Sequence, residues 1–302
     1  GSTAKAQKLL ARYGKEADAI ALGAVKDSFR IGAKRTIQRD AQAMRNAVTS
    51  GVPVTTGARL GAILQEWTVR HTQVTLGHYF DNARVLFFSG VAQAKLAATM
   101  AEYTQNMRFA DPLLQMGVPK LLSSLDALSL YASGAHYVED WRPPRVIPAA
   151  LQSQWTQLVL RRAMIHATVV VAPVHELEDF GLEELAGKTL ITSGVTDRRL
   201  ERFKNRGVSM VVDSSPLMHG HVLGPELLDA MIQAATGKTG DALQDDDYLA
   251  IVGELQLEPR ILYPNGFKRV NRFAFVIHPL SQEYFKMVKP VEVLSRVSPP
   301  LF

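Results

Sequence analysis

The chain has 302 residues, 47% of them hydrophobic and 21% charged, with a formal net charge of +5. That balance is too apolar for intrinsic disorder, and the length holds one large domain or two ordinary ones, each with a real core. Cysteine is absent, which excludes disulfides, thiolate metal sites and a cysteine nucleophile. No run reaches the ~18 apolar residues of a membrane-spanning helix, and no secretory signal is visible. A cytoplasmic location is the expectation. The opening Gly-Ser, without Met, reads as a cloning scar, a processed start or a fragment.

In chain order, residues 3–13 have helical spacing and stop at Gly14, and 17–25 read as a buried strand. Residues 27–38 read as a hairpin turning at Gly32-Ala33, followed by a helix at 40–50, a short strand at 52–56 and an amphipathic helix at 58–71. ARVLFFSG at 83–90 is the strongest strand of the first half and runs straight into a helix at 91–105, the βα unit of a parallel sheet. The rhythm then breaks: 107–150 read as short helices and a long connection, and 151–165 as a helix. It returns with strands at 167–173, 188–194 and 208–216, a short helix at 182–187, and helices at 196–207, 225–236 and 245–257. Residues 262–271 read as a linker, and 272–280 as the first strand of something further.

This alternation predicts an α/β protein with Rossmann-like, doubly wound, mostly parallel sheets, arranged as two lobes joined by a helical segment. The expected divisions are a first lobe at 1–106, lacking its first strand, a helical connection or lid at 107–165, a second lobe at 166–262, and a linker with a truncated further domain at 263–302.

Ligands of open α/β sheets sit outside the carboxyl ends of the strands. The turns expected there carry Thr56, Ser89-Gly90, Ser193-Gly194 and Asp213-Ser214, all candidate cofactor-binding residues. Hydroxyls and turn N–H groups at helix starts suit a phosphate or carboxylate, although Ser and Thr also cap helices with no ligand at all. Asp213 or Asp27 would accept ribose or substrate hydroxyls. His219, beside Asp213 and Ser214, is the acid–base candidate, and Lys26-Asp27 after the first strand could form a further acid–base pair. His175-Glu176 follows another strand end and either could act as a base. His219-Gly220-His221 is not helical ligand spacing, so no metal is expected. Neither G-x-G-x-x-G nor G-x-x-x-x-G-K-[ST] follows a strand, and G-x-S-x-G is absent. Aromatic residues, at 8%, do not interleave with basic ones, so nucleic acid is not an expected partner.

Several segments in order (ADAIALGAVKDSFRIGAKR, VPVTTG, ARVLFFSG, MRFADPLLQMGVP, ELAGKTLITSGVTDRRLERFKNRGVSMVVDSSP and PELLDAMIQAATG) resemble the bacterial quinate/shikimate 5-dehydrogenase-like family over residues 3–262. The tail, RFAFVIHPLSQEYFKMVKPVEVLSRVSPP, is similar to the start of long-chain acyl-ACP reductases and predicted amino-acid dehydrogenases. The resemblance implies the ligand-binding region of an NAD(P)-dependent dehydrogenase or reductase acting on a hydroxy acid or acyl substrate. NAD or NADP would be the cofactor, and a small anionic ligand or nucleotide would sit at the strand ends. Two alternatives stand beside it. One is a non-catalytic accessory domain that self-associates, positions a downstream reductase domain or touches a membrane surface, motivated by the apolar, Pro-rich 112–148 region. The other is a sugar-phosphate or glycosyltransferase-type α/β protein.

Overall fold

The structure, a computed structural model, describes residues 3–23, 28–31, 34–37, 43–48, 51–138, 149–179, 184–218, 220–240 and 242–266. Gly1–Gly266 form one compact unit; a second, Phe267–Phe302, lies outside the described residues, and so does the strand expected at 272–280.

A six-stranded sheet organises the unit. Its strands are β5 (Val85–Phe87), β6 (Met107–Phe109), β7 (Val169–Val171), β8 (Thr189–Thr192), β9 (Met210–Asp213) and β12 (Arg260–Leu262), in the spatial order β12-β9-β8-β7-β5-β6. All neighbours are parallel except β12, which runs antiparallel to β9. Phe87, for example, sits level with Phe109 on one side and Val171 on the other.

The inner strands are short and mostly apolar because both faces are covered. Val85, Phe87, Val169, Val171, Ile191 and Val212 point to one side, where they meet α2 (Ala58–Thr75), α3 (Ala94–Met100) and α5 (Leu125–Val138). Leu86, Phe88, Val170, Leu190 and Val211 point to the other, against α4 (Asp111–Met116), α6 (Ala149–His166), α7 (Val174–Asp179) and α8 (Asp197–Asn205). Period-two alternation thus feeds two cores from each strand.

Helix α2 has two buried sides. Val69 belongs to the sheet core, while Leu60, Ile63 and Leu64 pack against α9 (Pro225–Thr236) and α10 (Asp245–Glu254) in a third cluster. Its buried Thr68 and Thr72 donate to the carbonyls of Leu64 and Thr68, both at 2.7 Å, so no hydroxyl is stranded.

The N-terminal part joins this layer. After α1 (Thr3–Tyr13), β1 (Ile20–Ala21) pairs in parallel with β4 (Val54–Thr55), and β2 (Ser28–Ile31) pairs antiparallel with β3 (Lys34–Ile37). Buried Asp229 of α9 draws β4 in: it accepts the Thr55 hydroxyl, Tyr248 Oη at 2.7 Å and Gln233 Nε2 at 3.1 Å. Burial and the neighbouring Asp229 push the Tyr248 phenol upward. Thr55 accepts the Gly57 N–H in turn, at 3.0 Å.

Several expectations change. Strands placed in separate lobes, β5 in one and β7 to β9 in the other, lie side by side in one sheet, because Val85, Leu86 and Phe87 pair directly with Val169, Val170 and Val171. The segment 107–165 is the crossover between β6 and β7, and it opens with a strand, β6, that its single exposed Arg108 between two buried residues disguised. A short helix lies at 174–179, the described part of the helix expected at 182–187 (residues 184–187) is a turn, and the linker expected from 262 is preceded by edge strand β12. The hairpin turn at Gly32-Ala33 lies outside the described residues.

Gly57 makes the β4–α2 junction possible. Its φ is 66°, and a Cβ there would overlap the backbone of Pro225 and Glu226. Gly77 has a similar φ of 61° but faces open space. Urea denaturation should therefore show Gly77→Ala losing only the left-handed backbone penalty, about 1–2 kcal/mol, and Gly57→Ala losing on the order of 3 kcal/mol or more, because backbone cannot yield as a side chain can. Equal losses would mean that α9 does not press on this turn.

Candidate functional site at the carboxyl edge of the sheet

The chain enters the sheet at β5, steps outward to β6, then returns to the other side of β5 for β7. A crevice opens where the direction reverses, outside the carboxyl ends of β5 and β7. Ser89-Gly90-Val91 follows β5, Pro173 follows β7, Ser193-Gly194-Val195 follows β8, and Ser214-Ser215 follows β9.

The two Ser-Gly-Val turns are built alike. Asp111, just past β6, accepts the N–H groups of Gly90 and Val91, each at 2.9 Å. Asp213, ending β9, accepts those of Gly194 and Val195, each at 3.0 Å, together with Ser215 N–H at 3.0 Å. Both carboxyl groups are fully buried. A carboxylate that receives two backbone N–H groups does what a bound phosphate does at such a turn. The donors are already satisfied from within.

The clasps differ in charge compensation. Asp213 is paired across the strands with Arg260, which also donates to the Val195 carbonyl at 2.8 Å. Asp111 has no cation among the described residues, and its charged neighbour is another acid, Glu176. Burial therefore pushes the Asp111 carboxyl up to about 6, against the opposing pull of its N–H donors. Glu176 accepts the Ser89 hydroxyl through one oxygen, while its other oxygen is buried without a partner. Nearby Tyr131, pushed up to about 12 by burial and by Asp111, donates to Gln115 at 2.9 Å.

Above these turns lies a cleft of about 200 Å³. Its floor is Pro173, Ile191, Thr192, Ser193, Ser214 and Ser215; its roof is Gly61, Leu64 and Gln65 of α2 with Ala92, Gln93 and Leu96, and Pro225 closes one side. No charged side chain lines it. Thr192 is 3% exposed, yet its hydroxyl has no partner among the described residues, and neither has Gln93 Oε1. Such groups cost roughly 1–3 kcal/mol when left unsatisfied, and both belong to residues that line this one cleft.

Residues 59–264 match the model of the family described as domain of unknown function DUF8754, and residues 1–56 match that of domain of unknown function DUF8753. The chain belongs to the DUF8754 family. No curated protein and no solved structure matches it. The DUF8754 span contains all six sheet strands, both clasps and the whole cleft, while the DUF8753 span carries β1 to β4.

Of the residues expected from sequence, Ser193 and Ser214 line the DUF8754 cleft, and Ser214 donates to the Thr192 carbonyl at 3.1 Å. Ser89, Gly90, Gly194 and Asp213 lie at the same edge but face inward, in the contacts given above. The N–H groups of Gly90 and Gly194, expected to hold an anion, instead hold Asp111 and Asp213. Asp213, expected to accept ligand hydroxyls, is enclosed by its own donors. Thr56 is buried in the turn that leads into α2, apart from the cleft lining. Lys26, Asp27 and His219 lie outside the described residues. Sequence reasoning missed Asp111, Gln93 and Thr192. A partial signal for the first was present: Ser-Gly-Val occurs three times, and after two strand ends its Val N–H meets an Asp 20 residues on in one case and 18 in the other.

The Asp111 carboxyl binds its proton more tightly in the folded protein than in the unfolded chain. Its contribution to stability is therefore largest in acid and declines as pH rises from about 4 to about 6. Subtracting the stability of Asp111→Asn from that of the wild type, pH by pH, should give a difference that falls by up to about 3 kcal/mol over that window. A flat difference would mean that Asp111 titrates as an ordinary carboxylate.

Proposed function

We propose that this chain is a ligand-binding α/β protein of Rossmann-like, doubly wound type, and that its ligand is a small uncharged molecule rich in hydroxyl groups, of the sugar or polyol class. The observation that carries this reading is a cleft with no charged lining in which two lining residues, Thr192 and Gln93, each keep a buried polar atom without a partner among the described residues.

The lining offers donors and acceptors together. Thr192 can do both, Gln93 Oε1 can only accept, and Ser215, whose oxygen takes the Gly194 N–H at 2.8 Å, keeps its proton to give. Gln65, whose oxygen takes the Leu96 N–H at 3.3 Å, keeps its amide hydrogens. A hydroxyl group, itself both donor and acceptor, satisfies such a mixed set, whereas a phosphate, which only accepts, does not. Leu64, Leu96, Ile191, Pro173 and Pro225 supply the apolar wall on which the C–H face of a sugar ring would rest.

The residues do not fit a nicotinamide dinucleotide at this edge. The turn N–H groups that would take its pyrophosphate are given to Asp111 and Asp213, and ~200 Å³ is below the ~300–1,000 Å³ of pockets for larger ligands. Glu176 and Asp111 would also repel phosphate charge. We therefore assign no hydride-transfer step.

Thermal melts with monosaccharides and polyols, alongside NADH and NADPH, test the reading. A true ligand at ~100 times its Kd should stabilise the fold by about 2.7 kcal/mol. Thr192→Val keeps the shape and removes the unpaired hydroxyl. It should leave the free protein as stable or about 1 kcal/mol more stable, and weaken the ligand about tenfold. Stabilisation by a dinucleotide and by none of the sugars would reverse the assignment.

A further inference from the structure

The amino edge of the sheet has the opposite electrostatic character. Arg84 precedes β5, Arg108 lies in edge strand β6, and Arg162 and His166 lie in the last turns of α6. All four line one open groove of about 760 Å³. Each of the three arginines is exposed, and none has a carboxylate partner among the described residues. Elsewhere in the chain Arg70, Arg161 and Arg260 are each paired. Lys188 adds to the same field: its ammonium is pushed down by burial and then by Arg84, while it donates to the Ala167 carbonyl at 2.8 Å.

The rest of the lining is mostly apolar, with Gln105, Asn106 and Ser123 as its polar members. Val85, Leu86, Met107, Leu121, Val159, Ala163 and Ala167 form its floor and walls. Along α6, Trp155, Val159, Arg162 and His166 follow one another at spacings of four, three and four, so they share one helix face. Trp155 is 58% exposed and extends that face by a turn beyond the groove.

Three uncompensated guanidinium groups raise the local concentration of anions, and a guanidinium binds carboxylate or phosphate through paired donors. A bare inorganic anion would use the rim and leave the floor wet. We propose that this groove is a second binding site, for a small amphiphilic anion: a carboxylate or phosphate carried on an apolar body, its head among Arg84, Arg108 and Arg162 and its body along Leu86, Met107 and Val159. The site is independent of the carboxyl-edge cleft and lies at the opposite end of the strands, where no sequence motif directs attention.

Isothermal titration of the full chain with octanoate, octanol and inorganic phosphate, at low and at 0.5 M salt, tests the proposal. Octanoate is expected to bind saturably with one site per chain, more tightly than either octanol or phosphate, and more weakly in high salt. Arg108→Gln and Arg162→Gln, both at exposed positions, should each weaken octanoate about tenfold with melting temperature unchanged, and Trp155→Phe should remove a fluorescence change that accompanies binding. Octanoate binding no tighter than phosphate would overturn the role of the apolar floor. Binding that survives both arginine substitutions, or no octanoate binding at all, would overturn the site.

Discussion

Two buried carboxylates set the character of this protein's carboxyl edge. Asp111 and Asp213 each grip the two N–H groups of a Ser-Gly-Val turn from a neighbouring strand. Their grip fixes the turns, consumes the donors that open α/β sheets ordinarily present to phosphate, and places negative charge behind the crevice. The cleft in front is consequently neutral and lined by hydroxyl and amide groups. Arg260 neutralises one clasp; the other has Glu176 and no cation beside it among the described residues, and burial pushes its carboxyl up to about 6. One geometry used twice thus yields one clasp closed by a cation and one whose carboxyl is held above the usual carboxylate range by burial.

The same sheet therefore separates two chemistries along its strands. Acids and hydroxyls gather at the carboxyl ends, and arginines without a carboxylate partner among the described residues gather near the amino ends around β5, β6 and the end of α6. The net charge of +5 conceals this division. Helix α2 links the sheet to the helices behind it. One of its sides completes the sheet core, another packs on α9 and α10, and its first turns roof the cleft. The Asp229 network then ties Thr55 of β4 to that layer, so the segment before residue 57 shares polar bonds with helices nearly two hundred residues later.

Much of the fold was legible because its signals are local. VLF, VVV, TLIT and MVVD are β-branched and apolar-rich runs between turn residues, and their separation by helices announces a mostly parallel sheet. The helix at 225–236 carries both of its markers, Pro225 at the start and Gly237 at φ 65° after its end. β6 and β12 were not legible. MRF and RIL each mix one arginine with two apolar residues in three positions, too short a pattern to show a period. Their identity as strands comes from pairing with Phe87 and Asp213.

Composition and local pattern determined the class of the protein, the order of most elements, the strand ends at which Ser193 and Ser214 meet the cleft, and the absence of cysteine chemistry. Only the tertiary structure decided that the supposed lobes share one sheet, because strand neighbours are chosen by long-range pairing rather than by adjacent residues. It alone also decided which turn N–H groups remain free, since Asp111 and Asp213 reach them from other strands. The separation of charge across the sheet was settled at the same level. A side chain's partners, unlike its period, are set by what the fold brings within 3 Å of it.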